Sequence, residues 1–194
     1  MSRVIGHRGA RSIAPENTLA SIRAAGGCGA DLVEVDVRLT KDGFLVVIHD
    51  ASVDRTTDGS GKVEEMALEE IRALDAGQGE RVPTLAEAVR LAEDLDLGIV
   101  VEMKEEGLED LVVRELEGRR AIVTSFFHGS VREVKELGGL KTGIIISSLP
   151  IDPVELALSA KAGSIFPQLQ TPTSSRTPVC RGARYILREQ GPLS

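Results

Sequence analysis

Strand-length apolar runs alternate along this chain with segments whose apolar residues recur at helical spacing, and that alternation leaves few folds open. Arg3 to His7 reads as a short buried strand. A helix follows from about Asn17, with Leu19, Ile22 and Ala25 on one face and Asn17 as its N-cap, and Gly26, Gly27 and Gly29 end it. Asp31 to Leu39 is the second strand. Thr40-Lys41-Asp42-Gly43 is a tight turn, after which Phe44 to Ile48 returns antiparallel and delivers His49-Asp50 beside that strand. Ala51 to Val82 is a polar excursion with one short helix, about Leu68 to Leu74. Thr84 and Glu87 form a capping box opening a helix to about Asp94, and Gly98 to Lys104 is the next strand. Three more units follow. A helix at Leu108 to Leu116 precedes a strand at Ala121 to Ser125. A helix opened by a capping box at Ser130 and Glu133 precedes Lys141 to Ile146. A helix at about Asp152 to Ala162 precedes Ser164 to Phe166. Such repeats imply the α/β class with a parallel sheet, either doubly wound or closing as a TIM (β/α) barrel. With Phe44 to Ile48 set aside as a hairpin arm, the strands number about six, where a full barrel has eight.

The second strand carries the sharpest chemical signal. Side chains alternate faces along a strand, so Glu34 and Asp36 point one way while Val33, Val35 and Val37 point the other. Two like charges on an inward face repel, and burying them unpaired costs several kcal/mol each; a hard divalent cation resolves the conflict. Glu102 and Lys104 repeat the pattern on a later strand. In a parallel barrel His7-Arg8, Glu34, Asp36, His49, Glu102 and Lys104 all fall at the C-terminal face, where such folds place active sites. Carboxylates suit Mg²⁺ or Ca²⁺, Arg8 and Lys104 suit a phosphate, and His7 and His49 suit acid-base work near neutrality. Together these describe metal-assisted cleavage of a phosphodiester. Asn17 and Thr18 read as helix caps, His128 as a surface or structural residue, and Asp50 and Asp54 as loop hydrogen-bonders.

Bulk properties narrow the classes. A formal net charge of −7 over 194 residues argues against broad nucleic-acid binding. No apolar run reaches the roughly 20 residues of a membrane span. No GxGxxG or GxxxxGKS loop is present, which weakens nucleotide binding. Cys28 and Cys180, the only cysteines, suggest neither a disulfide framework nor a zinc site, so a reducing cytoplasm is the expected compartment.

The motifs His7-Arg8-Gly9, Pro15-Glu16-Asn17-Thr18, Glu34-Val35-Asp36-Val37, Leu39 to Gly43, His49-Asp50, Arg55-Thr56-Thr57, Pro83-Thr84-Leu85 and Glu102-Met103-Lys104 resemble, in order and spacing, those of the glycerophosphodiester phosphodiesterases, over residues 3 to about 166. The resemblance implies a TIM barrel that hydrolyses glycerophosphodiesters to glycerol 3-phosphate and an alcohol with one divalent cation, Mg²⁺ or Ca²⁺. It implies Glu34, Asp36 and Glu102 as metal ligands, His7 and His49 as the acid-base pair, and Arg8 and Lys104 on the substrate phosphate. Residues 51–82 correspond to the family's small insertion within one domain spanning 1–194. Two alternatives stay open: a phospholipase D-like enzyme acting on lysophospholipids or sphingolipids, and a non-catalytic barrel remnant.

The last stretch departs from that pattern. The family's Trp-Thr-Val-Asn and Gly-Val-Asp-Gly-Ile-Ile-Thr-Asp motifs are missing, and the chain has no tryptophan. Residues 168–194 instead hold Arg176, Arg181, Arg184 and Arg188 against Glu189, with Pro172, Pro178 and Pro192. They read as an irregular, atypical tail from a frameshifted or truncated frame, or from a short variant that closes its barrel by dimerising. An incomplete barrel would expose edges on its first and sixth strands and could form a homo-oligomer through them.

Overall fold

The structure, a computed structural model, describes residues 2–148, 150–168 and 183–188. Strands β1 (Ser2–His7), β2 (Leu32–Leu39), β4 (Gly98–Met103), β5 (Ala121–Ser125), β6 (Lys141–Ile146) and β7 (Ser164–Pro167) are mutually parallel, each hydrogen-bonded to the one before it in this series. The hairpin arm β3 (Leu45–Val47) runs antiparallel on β2. A doubly wound sheet reverses its strand order at a switch point; this order runs in one direction, as around a barrel. The six-strand reading therefore holds.

Alternation along the strands makes two apolar layers. Val33, Val35 and Val37 face outward into a core with Ile22, Leu85, Val89, Val112 and Leu116 from the helices α1 (Leu19–Gly27), α3 (Leu85–Asp94) and α4 (Glu109–Leu116). Inside the sheet, Ile5, Leu32, Val100, Ile145 and Phe166 make an apolar floor with Ile122. One step further along the same inner face of β1, β2 and β4 come His7, Glu34, Asp36 and Glu102. The polar site thus stands directly on an apolar plug.

Between β3 and α3, a short 3₁₀ turn (Val63–Glu65) and α2 (Leu68–Arg72) sit in the 51–82 excursion. It packs a small core of its own, Val53, Val63, Ile71 and Ala76, against Val46 and Ile48. The Thr84–Glu87 capping box is formed as expected. At α1 the N-cap is Thr18 rather than Asn17, because Asn17 turns its amide away toward β2. Helix α5 (His128–Gly138) starts before Ser130: the Ser125 hydroxyl accepts the Phe127 N–H at 3.0 Å and caps the turn from outside, leaving Ser130 buried in the first turn. Helix α6 (Pro153–Ser159) is capped by Asp152.

Two further expectations change. Part of the tail is regular: β8 (Ala183–Arg188) pairs antiparallel with β1, so β1 is not an open edge, and a main-chain ladder needs no alternating sequence to form. The rest of the 168–194 tail lies outside the described residues beyond Gln168. Cys28 is disulfide-bonded, where the sequence suggested no disulfide framework. No helix among the described residues is long and apolar enough to cross a membrane.

Candidate active site

The site begins with an unusual turn. Directly after β1, Arg8 and Gly9 both adopt left-handed backbone (φ 52° and 74°), which curls the chain back under β2. A Cβ on Gly9 would lie 2.2 Å from Ser21 Oγ and 2.5 Å from its carbonyl carbon, so only glycine fits against α1 there. The turn aims the Arg8 N–H at Glu34 Oε2 (2.8 Å) and the Gly9 N–H at the Glu34 carbonyl (3.2 Å). Parallel register does the rest: His7 pairs with Glu34 and Asp36 with Glu102.

Three buried carboxylates result, from Glu34, Asp36 and Glu102, with ligand atoms all within 4.8 Å of one another. His7 Nε2 lies 3.9 Å from Glu34 Oε2. Lys104 Nζ reaches Glu102 Oε1 at 2.5 Å and stands 3.5 Å from Asp36 Oδ1, with its ammonium 5.9 Å from the Phe126 ring centroid. Arg8 Nε is 3.1 Å from Asp36 Oδ2, near enough for an ion pair but off the angle of a hydrogen bond. Burial, then the neighbouring charges of Asp36 and Glu102, pushes the Glu34 carboxyl well above the usual range; burial and Asp36 push Glu102 up as well. Glu34 Oε1 and Asp36 Oδ1 are buried and accept no hydrogen bond. Crowded, buried, under-bonded oxygens of this kind fit a hard divalent cation.

His49 follows β3. Its Nδ1 lies 2.6 Å from Asp50 Oδ1, and Arg38 Nε donates to its carbonyl at 2.9 Å. Arg38 in turn donates to Glu105 (2.9 Å), which also accepts the Leu39 N–H, so the loop after β4 braces the histidine's backbone. Burial lowers the His49 pKa, outweighing the opposite pull of Asp50 and Asp36. His49 shares a small cavity with Glu16, Asn17 and Thr56. His128 stands apart, bonded to the Ile145 carbonyl at 3.0 Å, and Asp54 accepts the Gly61 N–H within its loop.

Three participants escaped the sequence reading. Asn17, in left-handed backbone (φ 58°), donates to Asp36 Oδ2 at 2.8 Å and accepts the Asp36 N–H, fixing that carboxylate. Glu16 accepts from Arg8 Nη1 at 2.8 Å, and Arg55 donates to both Glu16 and Asp50. The signal available was their place in the Pro15–Thr18 and Arg55–Thr57 motifs, not any local periodicity.

Fold and site together define a (β/α)-barrel protein with an acidic, metal-compatible centre at the carboxyl ends of its strands. The model of the glycerophosphoryl diester phosphodiesterase family matches residues 7–173, and the chain belongs to that family. It is 42% identical over 181 residues to the glycerophosphodiester phosphodiesterase of Caldanaerobacter subterraneus, covering 84% of this chain and 74% of that protein. It is 45% identical over 150 residues to the putative glycerophosphodiester phosphodiesterase YhdW of Bacillus subtilis, covering 69% and 61%. Among solved structures, an Oleispira antarctica phosphodiesterase in complex with the product sn-glycerol-3-phosphate superposes with a TM-score of 0.80 at 34% identity, covering 85% of this chain and 74% of that one. A glycerophosphodiester phosphodiesterase from Thermotoga maritima gives 0.74 at 29% identity. The chain thus spans about three quarters of the Caldanaerobacter protein and of both solved structures and 61% of YhdW, and the incomplete barrel agrees with a partial share.

Proposed function

We propose that the protein hydrolyses glycerophosphodiesters to glycerol 3-phosphate and an alcohol, and that it needs one Mg²⁺ or Ca²⁺ to do so. The observation that carries this reading is the convergence of three buried carboxylates beside two cationic side chains and an imidazole. Glu34, Asp36 and Glu102 would hold the cation, which when bound supplies Lewis-acid polarisation of a phosphoryl oxygen. Arg8 and Lys104 flank the same point and bind the phosphate oxygens, the guanidinium through two donors and the ammonium as a point charge.

His7 and His49 handle protons. The Asp50 carboxylate, 2.6 Å away, is placed to accept the hydrogen bond of a proton-bearing His49 Nδ1, which would leave Nε2 with its lone pair, and burial disfavours the charged ring. That supports His49 as the group that takes a proton from the nucleophile, either water or a hydroxyl of the substrate. His7 then gives a proton to the departing alkoxide as the phosphorus–oxygen bond to the alcohol breaks. The site is a single domain's work, with residues 51–82 as its insertion. Glycerophosphocholine hydrolysis followed by glycerol 3-phosphate release, with and without EDTA, tests the proposal; folded protein without release would favour a non-catalytic remnant.

A further inference from the structure

We propose that Arg55, on the loop after β3, is a positioning residue that sets the orientation of His49 through Asp50 and the seat of Arg8 through Glu16. This inference rests on the roles proposed above for His49 and Arg8. The geometry is a continuous relay. Arg55 Nε donates to Asp50 Oδ2 at 2.5 Å and Nη2 to Asp50 Oδ1 at 3.2 Å, while Nη2 also reaches Glu16 Oε1 at 2.7 Å. Asp50 Oδ1 lies 2.6 Å from His49 Nδ1, and Glu16 Oε1 accepts from Arg8 Nη1 at 2.8 Å. Carboxylate and cation thus alternate from one proton-handling imidazole to the phosphate-facing guanidinium, across loops 39 residues apart in sequence.

Only a guanidinium can make this junction. Its planar fork meets a carboxylate with two donors and keeps a further donor direction for a second acid. Asp50 adjoins His49 in sequence, and Arg55 holds both of its oxygens. A fixed Asp50 in turn holds the proton on His49 Nδ1. The same logic applies to Glu16, which bridges two guanidiniums.

The loop is built to present this residue. Val53 is fully buried in the insertion's own core, and the Thr57 N–H and hydroxyl both bond to the Val53 carbonyl (3.0 and 2.8 Å), closing a turn around Arg55. Arg55 itself stays half exposed, reachable by small solutes.

The test reads the resting protein as well as turnover. The chain has three histidines, so imidazole nitrogens are assignable by ¹⁵N NMR at a pH where His49 is neutral. The wild type is expected to show His49 as a single Nδ1–H tautomer. Arg55→Ala should mix the tautomers and lower kcat about tenfold or more, and guanidinium added to this variant should restore both, where ammonium does not. Asp50→Asn should change the imidazole in the same way, and Glu16→Gln should leave it untouched while raising KM. Arg55→Lys, which can meet one carboxylate at a time, should fall between wild type and Arg55→Ala. Wild-type nitrogen shifts in both Arg55 variants would overturn the proposal. Altered shifts that guanidinium fails to restore would overturn it too, assigning Arg55 to loop architecture alone. Because the tautomer is read without substrate, an inactive wild type would count against the proposed reaction and not against the relay.

Discussion

Asp36 and Glu102 stand opposite each other in register on adjacent parallel strands, both buried and both facing the barrel interior. Glu34 lies one inward position below Asp36 on the same strand. Three ionised carboxylates in so small a buried volume need counter-charge, and among the described residues Arg8 and Lys104 bring two cations to them.

A divalent cation should therefore stabilise the fold. Adding Mg²⁺ or Ca²⁺ at 100 times its Kd is expected to stabilise the protein by about 2.7 kcal/mol, visible as a raised thermal midpoint. Asp36→Asn should abolish that shift. A midpoint indifferent to both cations in the wild type would contradict the assignment of the carboxylates.

Removing either imidazole should stop turnover without unfolding the chain. His7→Ala and His49→Ala are each expected to lose about 10²-fold or more in kcat, with circular dichroism unchanged. Near-wild-type rates in both variants would refute the acid-base pair.

Gly9 tests the turn that builds the site. A Cβ there meets Ser21 backbone at 2.5 Å, and φ is +74°. Gly9→Ala should cost about 2–4 kcal/mol through overpacking and left-handed strain, measured by urea unfolding. Ala at Gly29, which is also left-handed but has open space around it, should cost less.

Glu16 tests the electrostatics by pH. Burial alone would raise its pKa, but hydrogen bonds from Arg55 and Arg8 outweigh burial and hold it down to about 2 from 4.5. A depressed folded-state pKa means the unfolded chain takes up the proton first. The stabilisation is thus full above about pH 4.5 and is lost as pH falls toward 2. Arg55, half exposed, lets solvent screen the pair, so the contribution stays below what the full shift would give. The stability gap between wild type and Glu16→Gln should shrink across that window; a gap constant with pH would contradict the account.

Strand and helix positions were legible because the periods of two and 3.6 are written into local sequence. The Glu34–Asp36 pair was legible for the same reason, since period two alone puts both on one face. Asn17 was not, because its amide serves a strand 19 residues away and its left-handed backbone leaves no compositional trace. Ser130 carried a capping signature that Ser125 pre-empted from the preceding strand. Arg55 and Glu16 meet only once β1 and the β3 loop are side by side, so their pairing is a product of topology. The β8 ladder rests on main-chain bonds to β1, which sequence alternation does not announce.

The most direct measurement is release of glycerol 3-phosphate from glycerophosphocholine by the purified protein with Mg²⁺ or Ca²⁺, repeated after EDTA. Release that depends on the cation and vanishes with chelation is the expected result. Folded protein that gives no product with either cation, or product that EDTA leaves unchanged, would contradict a metal-dependent phosphodiesterase built on Glu34, Asp36 and Glu102.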